Sequence, residues 1–313
     1  MIMRLIKSHG SIFCLVLACF LLPIFSSCEN NSATVIDEVK FNISVNEVIK
    51  PFEYYAAIDG KMFEYNGARS KIVVVALLYN TKGQLVKEFS EEIADYNQSS
   101  VSFVTKIDES NMKLVCFSYA TVKDGSTVYN SYKISGKQTI STLKVQRSDF
   151  TSANRIPWQI IGGDISNINL NSNSVNVSLK PLGAVVYYDW ENIHSVSHTA
   201  ANYYEFISGH NDVITVNDNW QFAYSCSLPS TYGFPSIIYP NDYPKDNSLY
   251  MIRVMMPSDV KSQVGYLKES SGQIEEIWVS EFKNIRVDAG KQYVFSVDCK
   301  THEFVLKEGA LTD

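Results

Sequence analysis

The constraint that acts first on this chain is a hydrophobic period of two. Phe41, Ile43 and Val45 alternate with Asn42, Ser44 and Asn46, the pattern of a strand with one dry and one wet face. Ile72 to Tyr79 reads IVVVALLY, a continuous β-branched and aliphatic run expected of a strand covered on both faces. Asn80-Thr81-Lys82-Gly83 follows as turn chemistry, and Gln84–Ile93 returns as the second arm of a hairpin. Further strands are expected at 101–107, 114–122 and 127–134, the last after the turn residues Asp124-Gly125. A second series covers 175–179, 184–190, 213–216, 220–226, 250–255 and 273–282. The pair Gln292–Asp298 and Glu303–Lys307 closes it around a short Cys-Lys-Thr-His turn.

No stretch sustains a 3.6-residue period. One or two helical turns are expected at Ser258–Val264, after Pro257, and a short helix at Ile193–Tyr204. Short strands separated by closely spaced turns indicate an all-β fold of sandwich type, and two sandwiches in tandem fit the length. The Gly-, Asn- and Ser-rich stretch 162–174 marks the boundary. The expected domains are 37–165 and 172–313, and Gly162-Gly163-Asp164 is read as a turn.

The first 27 residues have a different organisation. Arg4 and Lys7 precede an apolar run, Ile12–Phe25, and then Ser26, Ser27 and Cys28. This is the order of a secretory signal, and the run is shorter than the ~20 residues of a spanning helix. Phe25-Ser26-Ser27-Cys28 resembles a bacterial lipobox. That resemblance implies acylation of Cys28, palmitate included, and anchorage in a bilayer through hydrocarbon burial at ~0.8 kcal/mol per CH₂. Residues 28–36 would then be a polar, lipidated tether, and the expected location is the outer membrane, with display at the cell surface.

Without Arg4 and Lys7 the 27 basic residues become 25, against 33 acidic ones, a net charge of −8. A negative chain with no Lys/Arg-rich stretch has no general attraction for nucleic acid. Beyond the signal and Cys28, three cysteines remain: Cys116, Cys226 and Cys299. They lack metal-site spacing and are read as buried thiols, with a Cys226–Cys299 bridge as the alternative.

Several segments together resemble the fimbrillin-like lipoproteins that build and anchor type V fimbriae in the Bacteroides group. They are Arg69-Ser70-Lys71 leading into IVVVALLYNTKGQLV, SLKPLGAVVYYDWENI at Ser178–Ile193, and VDAGKQYVFSVD at Val287–Asp298. The resemblance implies two transthyretin-like β-sandwich domains, no enzymatic activity and no cofactor. It also implies that other fimbrial subunits are partners through β-strand addition, in which main-chain bonds give affinity and alternate side-chain pockets give register. The exchanged or groove strand would carry Phe41, Ile43 and Val45. Polymer-forming members are cut after an arginine beyond the first strand, and Arg69 is the one arginine between Cys28 and Ile72. That site abuts the hydrophobic run, so an anchor or minor subunit that keeps its first strand is the preferred reading.

Other constellations have ordinary explanations. His194 and His198 are four apart with no third ligand nearby, so a solvated pair is preferred to a metal site. No G-x-S-x-G elbow or phosphate loop occurs, and Ser208-Gly209-His210 lacks the context of one. Leu228–Tyr250 places four prolines among Tyr232, Phe234, Tyr239 and Tyr243, the composition of a long loop. It is read as packing over the second sandwich, with a contact surface for a subunit or a glycan as the alternative.

Overall fold

A computed structural model of the protein describes residues 36–48, 64–65, 68–69, 71–94, 98–107, 110–148, 161–169, 172–193, 201–209, 211–227, 236–238, 248–270 and 273–310. Glu38–Asp313 form one compact unit, and Met1–Asp37 a second of which only Ile36 and Asp37 are described. The strands in chain order are β1 (Ile36–Ser44), β2 (Glu64–Tyr65), β3 (Ala68–Arg69), β4 (Lys71–Tyr79), β5 (Leu85–Ile93) and β6 (Ser100–Ile107). Then come β7 (Lys113–Asp124), β8 (Thr127–Asn130), β9 (Tyr132–Ser135), β10 (Lys144–Arg147), β11 (Gly162–Asn167) and β12 (Ser174–Ser178). They continue as β13 (Lys180–Pro181), β14 (Ala184–Glu191), β15 (Ala201–Ser208), β16 (Val213–Val216), β17 (Phe222–Ser225) and β18 (Ser236–Ile238). The last are β19 (Ser248–Met255), β20 (Ser258–Ser270), β21 (Gln273–Val279), β22 (Lys283–Val287), β23 (Lys291–Asp298) and β24 (Glu303–Ala310). Among the described residues no helix is long and apolar enough to cross a membrane. The fold is all-β.

β4 organises the first set of sheets. It lies in the order β13-β11-β7-β4-β5, and every residue from Ile72 to Tyr79 is buried, as its continuous apolar run requires. The hairpin to β5 forms as expected. Gly83 supplies a positive φ of 72°, and the Asn80 carboxamide accepts from the N–H groups of Lys82 and Gln84 at 3.0 and 2.9 Å.

The two faces of β4 meet different sheets. Val73, Val75, Leu77 and Tyr79 share a core with Phe117, Val145, Leu182, Ile214 and Val216, under the sheet β17-β16-β10-β9. On the other face Phe89 lies opposite Ala76, and its ring meets Phe41 of β1 at 6.1 Å. β1 belongs to the sheet β12-β1-β6. Three layers therefore stack, with β4 in the middle one.

The glycine pair expected to be a turn is instead the start of β11, paired to Ser118 and Phe117 of β7. A Cβ on Gly162 would collide with Ser118 Oγ and come within 2.6 Å of Val48, and one on Gly163 would strike Leu182. These glycines answer crowding between layers, not a change of direction. Pairing also crosses the expected boundary between 165 and 172. β12 joins β1, and β16 joins β10.

The remaining strands form the sheets β19-β14-β23-β24 and β18-β15-β20-β21, with β22 added to β20. Tyr188, Trp190, Val264, Tyr266, Ile285 and Phe295 are buried in the core they share. Tyr188 stacks on Phe295 at 5.1 Å and bonds Ser262 of the facing sheet at 2.8 Å. The closing hairpin pairs Asp298 with Glu303 as the sequence indicates. The helical turns expected at Ser258–Val264 are strand β20, paired to β15 and β22. Ser258, Val260, Ser262, Val264 and Tyr266 are all buried, a period of two that outweighs the proline before it. The helix expected up to Tyr204 likewise gives way to β15 from Ala201, and His194 and His198 lie outside the described residues.

Candidate interaction site

The site with the clearest architecture is the slot that β1 fills. β1 runs parallel to β12, with Phe41 opposite Val175 and Ile43 opposite Val177. Its other neighbour is β6, which it meets antiparallel, since Val45 N–H donates to Ser99 O at 2.8 Å while Asn42 faces Ser102. Lys40 N–H donates to Asn173 O at 3.0 Å, and Leu179 N–H to Ser44 O at 2.9 Å. Both edges of β1 are thus satisfied by strands distant in sequence.

The inward side chains Val39, Phe41, Ile43 and Val45 are completely buried. Covering them contributes on the order of 1.5–3 kcal/mol each before entropic costs. The outward face is polar. Asn42 Nδ2 donates to Ser174 Oγ at 3.2 Å and to Asn176 Oδ1 at 2.9 Å, and Asn42 Oδ1 accepts from Ser102 Oγ at 2.9 Å. Just beyond the strand, Glu47 pairs with Lys180 and accepts from Ser178 Oγ at 3.2 Å. Exposed ion pairs of this kind contribute little. Apolar burial and the two ladders hold β1.

Of the residues singled out in the sequence, Phe41, Ile43 and Val45 all point into this slot. Arg69 lies in β3, opposite Glu64 of β2, three residues before Ile72, where the buried run of β4 begins. Cys28, Tyr232, Phe234, Tyr239 and Tyr243 lie outside the described residues. The stretch around those aromatics is not one continuous loop, because Ser236–Ile238 pairs with β15 and β19 begins at Ser248. Asn42, Ser102, Ser174 and Asn176 were not singled out. Their signal was the alternation of Asn and Ser with apolar residues, which marks an outward face without telling what it meets.

A shallow cleft of about 440 Å³ lies elsewhere, beside β9, lined among others by Glu88, Tyr119, Tyr132, Lys133 and Lys137. Glu88 is held by Lys137 at 2.6 Å. Burial, with Glu88 and Glu92 nearby, pushes the Tyr119 hydroxyl up from its ordinary pKa. The cleft therefore presents an ion pair and a protonated phenol. Among the described residues no group of three or more His, Cys, Asp or Glu side chains could hold a metal.

The three remaining cysteines are thiols. Cys116 and Cys299 are buried as expected. Cys226 is exposed instead, because it follows β17, the edge strand of its sheet, and the alternative Cys226–Cys299 bridge does not form.

No family model and no curated protein matches this chain. Solved structures do match along most of it. A candidate polysaccharide-binding protein of Bacteroides thetaiotaomicron is 11% identical, covers 88% of this chain and 99% of its own, and has a TM-score of 0.47. A candidate cell adhesion protein of Bacteroides uniformis is 12% identical over 88% of this chain and 98% of its own, also at 0.47. The tip fimbrial protein Mfa3 of Porphyromonas gingivalis is 8% identical over 87% and 98%, at 0.41. Likeness at this distance assigns no function, and the functional reading has to come from the slot itself.

Proposed function

We propose that this protein is a structural adhesion component of the cell surface, a fimbrial anchor or minor subunit, which joins neighbouring subunits by β-strand addition. The observation that carries the reading is the slot between β6 and β12. A single strand near the start of the chain fills it with four fully buried apolar side chains, and both its ladders are made to strands far away in sequence. A strand held this way can be replaced by another of the same pattern, because main-chain bonds are indifferent to the identity of the donor. The lipobox-like segment ending at Cys28 fits a body held at the outer membrane by acyl chains. The position of Arg69, at the end of β3 and directly ahead of β4, fits a chain that keeps its first strand.

Unheated samples of the protein with its neighbours are expected to run as high-mass, SDS-resistant ladders. A monomer under all conditions would overturn strand addition. N-terminal analysis of the mature chain separates the two roles: lipidated Cys28 identifies an anchor, and a start at Ser70 identifies a polymerising subunit.

A further inference from the structure

β1 and β12 carry the same five-residue pattern. One reads Phe41-Asn42-Ile43-Ser44-Val45, the other Val175-Asn176-Val177-Ser178-Leu179. The fold lays the two side by side, parallel and in register, so that Asn42 stands opposite Asn176 and Ser44 opposite Ser178. Like therefore meets like. Phe41, Ile43, Val45, Val177 and Leu179 are buried, while the asparagines face outward and bond each other at 2.9 Å. This is the carboxamide ladder that in-register parallel strands favour.

A slip of one residue would turn every side chain to the wrong face, but a slip of two preserves the faces. Against the second error two things act: the seat of the Phe41 ring against Phe89, and the polar row. Moved by two, Asn42 would face a serine of β12 and Ser44 would face Asn176. A carboxamide is the side chain suited to the native place, having two donor protons and an acceptor oxygen. Asn42 uses both ends, donating to Ser174 and Asn176 on one side and accepting from Ser102 on the other. A serine there would be too short to span both, and an aspartate would lose the donors.

We propose that this ladder is the recognition code of the slot. The strand placed between β6 and β12, whether the chain's own β1 or the same strand from a second copy, is selected by the order apolar–Asn–apolar–Ser–apolar, running parallel to β12. The proposal rests on the strand-addition reading above and adds to it the sequence that the slot accepts.

The test uses intact protein in urea just below its unfolding midpoint, a condition chosen to favour opening of β1, and two fluorescent peptides read by anisotropy. One peptide has the sequence of Glu38–Asn46. The other has the Asn and Ser of positions 42 and 44 exchanged, so that composition, charge and apolar residues are unchanged. The native-order peptide is expected to be captured about tenfold more tightly, the value of one or two net hydrogen bonds. In the protein with N176S and S178N together the preference should shrink, because the Asn42–Asn176 bond is lost while those to Ser174 and Ser102 remain. Equal capture of both peptides by the unmodified protein would overturn the code while leaving strand addition standing. Capture of neither would overturn strand addition and the code with it. The peptide comparison on unmodified protein decides the matter even where the double variant fails to fold.

Discussion

Phe41→Ala tests whether β1 is a separable strand seated in a slot. The Phe41 side chain is fully buried and meets the Phe89 ring at 6.1 Å. Phe89 in turn stacks on Phe103 of β6 at 5.1 Å, so truncation leaves a void against packed rings that cannot easily collapse. Phe-to-Ala changes in such places cost about 3–5 kcal/mol, which corresponds to roughly 150- to 4,000-fold more opening of the strand. Native-state hydrogen exchange reads this directly. The amides of Lys40 and Val45, bonded to Asn173 and Ser99, should exchange faster by about that factor, while those of β14 and β23 keep their protection. Val104→Ala, on the outward face of β6 and 51% exposed, serves as the control, with an expected change within about 0.5 kcal/mol. Unchanged exchange in β1 would show that Phe41 is not seated as described. Equal acceleration in β14 and β23 would show that β1 opens only with the whole molecule, which would refute its exchangeability.

Two other outcomes are expected. Gly162→Ala should destabilise by about 1–3 kcal/mol in urea unfolding, because its methyl would enter the space of Ser118 and Val48 between two layers. Among Cys116, Cys226 and Cys299, iodoacetamide at pH 8 should label Cys226 alone in the folded protein and all three in urea, read by peptide mass spectrometry. Burial pushes the Cys299 thiol up to about 12 and the Cys116 thiol well above its ordinary value, so neither offers the reactive thiolate.

How far the sequence could be read varies by element. β4 and its hairpin to β5 were legible because a continuous apolar run and Asn80–Gly83 act over a few adjacent residues. The closing β23–β24 hairpin was legible for the same reason. β20 was misread because Pro257 signalled a helix start, while the competing alternation from Ser258 to Tyr266 makes sense only once β15 and β22 stand on either side. Gly162 and Gly163 were misread because a glycine that makes room for a neighbouring layer looks, in sequence, like one that makes a turn. The inward residues of the slot, Phe41, Ile43 and Val45, were found from period two alone. Their outward partner Asn42 was not, because its meaning lies in Asn176, more than a hundred residues away.

The sequence by itself determined that the chain is built of strands and which side of β1 would be dry, since side-chain alternation is a property of the extended backbone and needs no partner. It also determined that β4 would be covered on both faces, because an unbroken apolar strand has no side to give to water. Only the tertiary structure decided that β1 lies between β6 and β12, parallel to one and antiparallel to the other. Strand pairing is fixed by hydrogen bonds and packing between distant segments, and those terms appear only when the segments meet.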